Sequence, residues 1–144
     1  LEILVVNAPS HRYGAGEALV EQGCEDKRIF LVQSGRICSR TSPGEKLDVR
    51  QAGTMLGARS FFERGNRGAA STLVAEVDSQ VLVIERQAVE AACRVCPAAG
   101  ARFFRALAMN LGVLVQSQFE LLEKEECEES GQPLRELRRQ SIMA

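Results

Sequence analysis

The sequence holds a single histidine, His11, among its 144 residues. A Ser-His-Asp or Cys-His nucleophilic arrangement would have to run through that side chain, which stands beside Ser10 in a stretch that reads as a loop. Gly53-Thr-Met-Leu-Gly57 lacks the Gly-Lys-Ser/Thr end of a Walker loop. Cys93-Arg-Val-Cys96 has no second ligand pair for zinc, and no βαβ pattern frames it as a redox pair; it reads as buried structural thiols. Enzyme chemistry, a metal and a resident cofactor are therefore not expected. An excess of one charge is lacking too, with 18 Lys and Arg against 19 Asp and Glu. That balance gives no overall pull toward nucleic acid or anionic membrane.

Long hydrophobic runs are missing as well. The most apolar run, Phe103 to Val115, is about 13 residues against the ~20 that span a bilayer, and it contains Arg105 and Asn110. Membrane insertion is not expected. The five cysteines (Cys24, Cys38, Cys93, Cys96, Cys127) are odd in number and irregularly spaced. They fit free thiols in a reducing compartment, so a cytoplasmic location is expected. The chain opens Leu-Glu-Ile-Leu, with neither an initiator Met nor a basic stretch ahead of an apolar core. It reads as a segment of a larger protein without a signal peptide.

What is present fits one domain with a sizeable core, since 45% of residues are hydrophobic. Between residues 12 and 86 short strands alternate with turn signals. Ile29 to Val32 is an apolar run, Gly35 to Arg40 alternates, Ser42-Pro-Gly turns, and Leu47-Asp-Val alternates again before Gln51-Ala-Gly breaks the pattern. Thr72 to Ala75 and Gln80 to Ile84 close the series. Strands every ~8–12 residues with Gly-rich turns predict a small sandwich or barrel.

The period then changes to helical, over Gln87 to Ala92 and again from Pro97 to about Glu126. Phe104, Leu107, Leu111, Leu114, Gln118, Leu121 and Glu125 fall at three- and four-residue spacings, widened by Phe103, Val115, Phe119 and Leu122. Such a stripe either covers the barrel or forms a homodimer seam along helix 103–125. The acidic run Glu123 to Glu129 ends at Ser130-Gly-Gln-Pro, which stops the helix.

The order of these features resembles a known family. Residues 13–37, YGAGEALVEQGCEDKRIFLVQSGRI, are similar to the opening of a cyclic nucleotide-binding domain of the kind found in CRP and the protein kinase A regulatory subunit. The matching elements are Gly16-Glu17, Ala18 to Val20, Gln22-Gly23, Glu25-Asp26, Ile29 to Val32 and Ser34-Gly35. The likeness continues through Gln51-Ala-Gly53, Leu56-Gly57, Thr72 to Ala75 and Val81 to Ile84, into Pro97 to Gly112. It covers about residues 10–115.

The resemblance implies a mainly β fold, a double-stranded β-helix or jelly-roll-like β-roll with C-terminal helices. The expected boundaries are a lead-in at 1–11, the domain at 12–126 (β-roll about 12–86, helices about 87–126), and a linker and basic tail at 127–144. It further implies a regulatory domain attached to an effector in a larger intracellular signalling protein, its C-terminal helix acting as transmitter.

In that family a Phe-Gly-Glu turn receives the ribose 2′-hydroxyl, and the Arg of Arg-x-Ala-Thr-Val-Val-Ala pairs with the cyclic phosphate. The alignment puts Ala58 at the Glu position and Ala69 at the Arg position. A hydrogen bond to a charged group contributes about 1.5–3 kcal/mol. Losing both costs roughly 3–6 kcal/mol, on the order of 10²–10⁴ in affinity. High-affinity binding of cAMP or cGMP is therefore not expected.

Two readings of the pocket stay open. It is degenerate, with function in assembly or docking through the helix. Or it senses a cyclic nucleotide or a neutral nucleoside through Gly57, backbone amides and Arg59 or Arg67. The candidate ligand-binding residues are Gly57, Ala58, Arg59, Ser60, Arg67, Ala69, Ala70, Ser71 and Thr72. Arg138-Arg139-Gln140-Ser141 has the form of a basophilic kinase substrate, which makes Ser141 a candidate phosphosite. Too few residues follow Glu125 for a helix-turn-helix, so this segment itself is not expected to bind DNA.

Overall fold

The computed structural model describes residues 8–41, 46–63, 65 and 67–131. The Ser42-Pro-Gly turn, the basic tail and Ser141 lie outside them. In chain order the elements are β1 (Ser10–Tyr13), β2 (Ala18–Val20), β3 (Ile29–Ser34), β4 (Arg36–Arg40), β5 (Lys46–Gln51) and β6 (Met55–Leu56). Then come α1 (Ala58–Phe62), β7 (Thr72–Ala75), β8 (Ser79–Ile84), α2 (Arg86–Val95) and α3 (Pro97–Ser130). The strands form two four-stranded sheets, ordered β1-β8-β3-β6 and β2-β7-β4-β5. Every strand pair is antiparallel. The chain changes sheet at each step except β4 to β5, which is the plan of a jelly-roll-like β-roll.

The continuous apolar runs of β3 and β8 have a physical cause. Side chains alternate across a strand, and the sheet that holds both strands is buried on its two faces. Phe30, Val32, Val81 and Val83 pack with Leu19, Ile37 and Ala75 from the opposing sheet. Their neighbours Ile29 and Ile84 point the other way, into a second cluster with Phe61, Val89, Phe103 and Leu107 from the helices. A strand covered on both sides has no polar positions to spare.

The chain divides into two compact units, residues 1–107 and 108–144. Within the first, Phe103 and Leu107 on the opening turns of α3 are fully buried. A relay of phenylalanine rings ties the short helix α1 to those turns. Phe61 and Phe103 have ring centroids 6.3 Å apart, Phe62 and Phe104 5.9 Å, and Phe103 meets Phe104 at 5.4 Å. In the second unit, Met109, Val113, Val115, Phe119 and Leu122 are each more than half exposed.

Several elements differ from the sequence expectations. Ser10 and His11 are not a loop: β1 begins at Ser10 and pairs with β8 from Ser10 opposite Leu82 to Tyr13 opposite Ser79. Its side chains are mostly exposed, so backbone pairing at a sheet edge holds it and no apolar alternation announces it. Met55–Leu56 forms β6, where no strand is predicted. α2 extends to Val95, and α3 continues past Glu126 to Ser130, because glutamates favour helix and no breaker intervenes. The Gly131 N–H then closes the helix on the Cys127 carbonyl at 3.0 Å.

Taken as a window instead of an uninterrupted run, α3 holds 18 residues of mean hydropathy 1.3. By length and composition alone that is enough to cross a membrane. The stripe 103–125 is also divided, since Leu107 is buried in the helix-facing core and Leu111 is partly exposed.

Phe103→Ala is expected to lower unfolding free energy by about 3–5 kcal/mol. Phe62→Ala, at a half-exposed ring, is expected to cost less than about 1.5 kcal/mol. Equilibrium urea denaturation of both variants checks the difference.

Candidate ligand-binding pocket

Two segments close the mouth of the barrel, residues 21–28 between β2 and β3 and residues 57–72 between β6 and β7. Backbone bonds fasten them together. The Gly23 N–H donates to the Ala69 carbonyl at 2.9 Å, and the Ala69 N–H returns to the Cys24 carbonyl at 2.8 Å. The Gln22 N–H donates to Thr72 Oγ1 at 2.9 Å, and Lys27 Nζ reaches the Glu63 carbonyl at 3.4 Å.

Glycine is required at two of these joints. Gly68 has φ +70 and lies so close to the Gly23 carbonyl that a Cβ there has no room. Gly57 is the N-cap of α1 with φ +87, and a Cβ on it would stand 2.5 Å from the Arg28 carbonyl oxygen. Left-handed backbone costs an L-residue roughly 1–2 kcal/mol, and the close approach adds to that.

Between these segments lies a cavity of 140 Å³. Gly57, Arg59, Ser60, Ala69, Ala70 and Ser71 line it from the second segment, with Val20, Asp26, Arg28, Phe30 and Leu73 around them. Three residues singled out in the sequence are placed elsewhere. Ala58 is buried among Ile29, Met55 and Phe61 in the helix-facing core. Thr72 spends its hydroxyl oxygen on the Gln22 N–H. Arg67, with a side chain 80% exposed, lies 3.9 Å from Glu63 and is not part of the cavity wall. Arg59 does line the wall and lies 3.9 Å from the same carboxylate.

Two larger depressions lie outside this cavity. One, of 360 Å³, is bordered by Tyr13, Ser34, Asp78 and Gln80. The other, a groove of 600 Å³, runs past Phe61, Phe62, Cys93 and Phe104. Cys93 and Cys96 are free and partly buried, and among the described residues no group of His, Cys, Asp or Glu is placed to hold a metal.

The strongest electrostatic feature of the cavity is one the sequence reading passed over. Arg28 Nε donates to Asp26 Oδ1 at 2.9 Å and to Oδ2 at 3.1 Å, and Arg28 Nη2 donates to Oδ2 as well. Asp26 Oδ1 also accepts the Arg28 backbone N–H at 3.0 Å. The guanidinium carbon stands 5.1 Å from the centroid of the Phe30 ring, within range of a cation–π contact. The hydrogen bond to Asp26 raises the Arg28 pKa above the ordinary arginine value, against an opposing effect of burial, so the guanidinium stays charged. A signal was available: Glu25-Asp-Lys-Arg28 is a charged tetrad running straight into a strand whose first two residues, Ile29 and Phe30, are fully buried.

Comparison with known proteins follows from this geometry. No curated relative matches the chain. Among solved structures, a cyclic nucleotide-binding domain from Methylobacillus flagellatus superposes with TM-score 0.73 at 17% identity, over 81% of this chain and 66% of that one. The c-di-GMP responsive global regulator CLP of Xanthomonas campestris gives TM-score 0.74 at 13% identity, over 88% of this chain and 62% of that one. The Thermus thermophilus catabolite activator protein gives 0.61 at 23% identity, over 90% and 58%. At these identities the likeness is one of fold, and the chain spans about two thirds or less of each of these three structures. The sequence profile of the cyclic nucleotide-binding domain matches residues 10–95, more than half of the chain, and the protein belongs to that family.

Proposed function

We propose that this domain is a non-enzymatic regulatory module of a larger intracellular signalling protein, with a pocket that no longer binds cAMP or cGMP at high affinity. One observation carries the reading. Recognition of a cyclic nucleotide needs a cation for the phosphate and a carboxylate for the ribose. The cavity wall holds one carboxylate, Asp26, and it is committed to Arg28. The two groups a ligand would call on neutralise each other. Arg59, the other cation of the wall, faces Glu63 at 3.9 Å with a side chain 61% exposed; a pair so exposed contributes little. Ala58 and Ala69 supply no polar side chain in place of either group.

The ring contacts of Phe61 and Phe62 with Phe103 and Phe104 give the cassette a mechanical route to α3. A change in α1 displaces side chains on which the first turns of α3 rest, and a ligand that favours one arrangement shifts the population toward it. An attached effector reads that shift. A neutral nucleoside, which needs no free cation, suits the wall better than a cyclic phosphate. In that case Gly57, the neighbouring amides and Arg59 make the contacts. Burial of Phe103 and Leu107 in the helix-facing core supports a cytoplasmic domain over membrane insertion. Ser141 in the basic tail remains a proposed phosphosite, and DNA binding is assigned to no part of this segment.

A second reading rests on the exposed apolar side chains of helix 108–130. Val115, Phe119 and Leu122 follow each other at four- and three-residue spacing and are each more than half exposed. Such a row marks an association surface, and a second copy of the helix is its simplest partner.

Thermal-shift titration with cAMP, cGMP, adenosine and guanosine is expected to show no saturable shift with either cyclic nucleotide at micromolar concentration. A micromolar midpoint for one of them overturns the reading. Arg67→Ala is expected to leave every titration unchanged, whereas Arg59→Ala should remove any shift a nucleoside produces. In sedimentation velocity the protein is expected to self-associate, and the double variant Phe119→Glu/Leu122→Glu to run as a monomer. A monomeric parent protein removes the second reading.

A further inference from the structure

Asp26 and Arg28 are two residues apart, and the contact between them is built rather than incidental. Asp26 Oδ1 takes both the Arg28 backbone N–H and its Nε, so the carboxylate is fixed by the same residue whose charge it cancels. The Asp26 side chain is only 13% exposed and that of Arg28 34%. Beneath the guanidinium lies Phe30, and against the Arg28 carbonyl lies the Gly57 backbone. Arg28 is therefore anchored at the wall by contacts that do not involve Asp26.

A guanidinium offers five N–H donors. Nε and Nη2 are occupied by Asp26, while Nη1 has no partner among the described residues. An internal carboxylate held this way competes at an effective concentration that a micromolar ligand does not match. An anion that wanted Arg28 would first have to displace Asp26.

Resting on the reading of this cavity as the ligand site, we propose that Asp26 is its specificity-determining residue. By occupying Arg28 it turns the pocket away from phosphate-bearing anions and toward neutral, hydroxyl-bearing ligands of the nucleoside class, and its neutralisation makes Arg28 an anion clamp. The clamp stands on the β2–β3 side of the cavity, opposite the segment that contains Ala69. Neutral ligands keep the ion pair intact and use what it leaves over, the Nη1 donors of Arg28. An anionic ligand finds the wall with one cation less than its arginines suggest.

The test compares the parent protein with Asp26→Asn, which keeps an oxygen for the Arg28 backbone N–H and removes the charge. Asp26→Ser serves as a second neutral variant should the first fail to fold, with cooperative thermal unfolding as the criterion. Calorimetric titrations use cAMP, cGMP, adenosine and guanosine. Asp26→Asn is expected to bind at least one cyclic nucleotide tenfold or more tightly than the parent, about 1.4 kcal/mol, with no matching gain for the nucleosides. Adding Arg28→Gln should abolish the gain, and adding Arg59→Gln should retain it.

No gain in either neutral variant overturns the proposal. So does a gain that survives Arg28→Gln, because it would then come from general charge and not from Arg28. Failure of the underlying reading has its own signature. A micromolar Kd of the parent protein for a cyclic nucleotide contradicts the weak-binding pocket, while the ratio between Asp26→Asn and parent still decides the role of Asp26. If no probe gives a saturable signal with any variant, the role of Asp26 and the reading of this cavity as a ligand site fall together, while the weak-binding pocket stands.

Discussion

Strand β3 has no solvent face along its first half. Ile29 and Phe30 are both fully buried and point in opposite directions, one under the helices and one between the sheets. That double burial is the constraint on which the remaining architecture rests. It demands a helical cover over one side of the sheet, which α1, α2 and the start of α3 supply, and an opposing sheet on the other side. Each such side chain contributes about 1.5–3 kcal/mol on burial, so the strand cannot lose either layer without a large cost. It also fixes the place of the pocket. Arg28, the residue that enters this strand, is held at the rim, and Phe30 becomes both barrel core and the floor beneath its guanidinium.

The same geometry holds the shape of the pocket independently of the polar side chains on its wall. Gly57, Gly68 and the backbone bonds between residues 22–24 and 69–72 hold the cassette against the β2–β3 segment without help from a ligand-directed side chain. Ala58 packs in the helix-facing core and Ala69 sits at the cavity wall, neither adding a polar side chain. Shape here is maintained by main chain and core, and in the proposed reading a few wall residues set ligand choice. Those two layers respond to different substitutions, and here the wall layer has turned inward, with an aspartate and an arginine answering each other.

The parts of the fold that were legible in the sequence are those with a hydrophobic reason. β3 and β8 read as continuous apolar runs because both faces are covered, and the helical period from Pro97 onward was clear because Phe103 and Leu107 face a core. β1 was not legible: its residues Ser10, His11 and Arg12 are exposed and held by pairing with β8. β6 has two residues, too few for a period. At the site, the order of glycines and strands pointed to Gly57 and to residues 69–71, which do gather around one cavity. Ala58 was grouped with them because the alignment put it at the family's Glu position, yet its place three residues before Phe61 on α1 puts both on the buried helix face. Arg67 drew attention for its charge and lies off the wall. Asp26 was noted only within the Glu25-Asp26 match and Arg28 not at all, because a local charged pair says nothing of its setting until Phe30 and Gly57 are folded against it.

The central claim is that the cation at the head of β3 is already answered from within the chain. Nitrogen-15 NMR of the arginine Nε–H groups addresses it directly. The account predicts a slowly exchanging Arg28 Nε–H resonance that stays in place when millimolar cAMP or cGMP is added. A saturable displacement of that resonance, or its rapid exchange with water in the free protein, would contradict it.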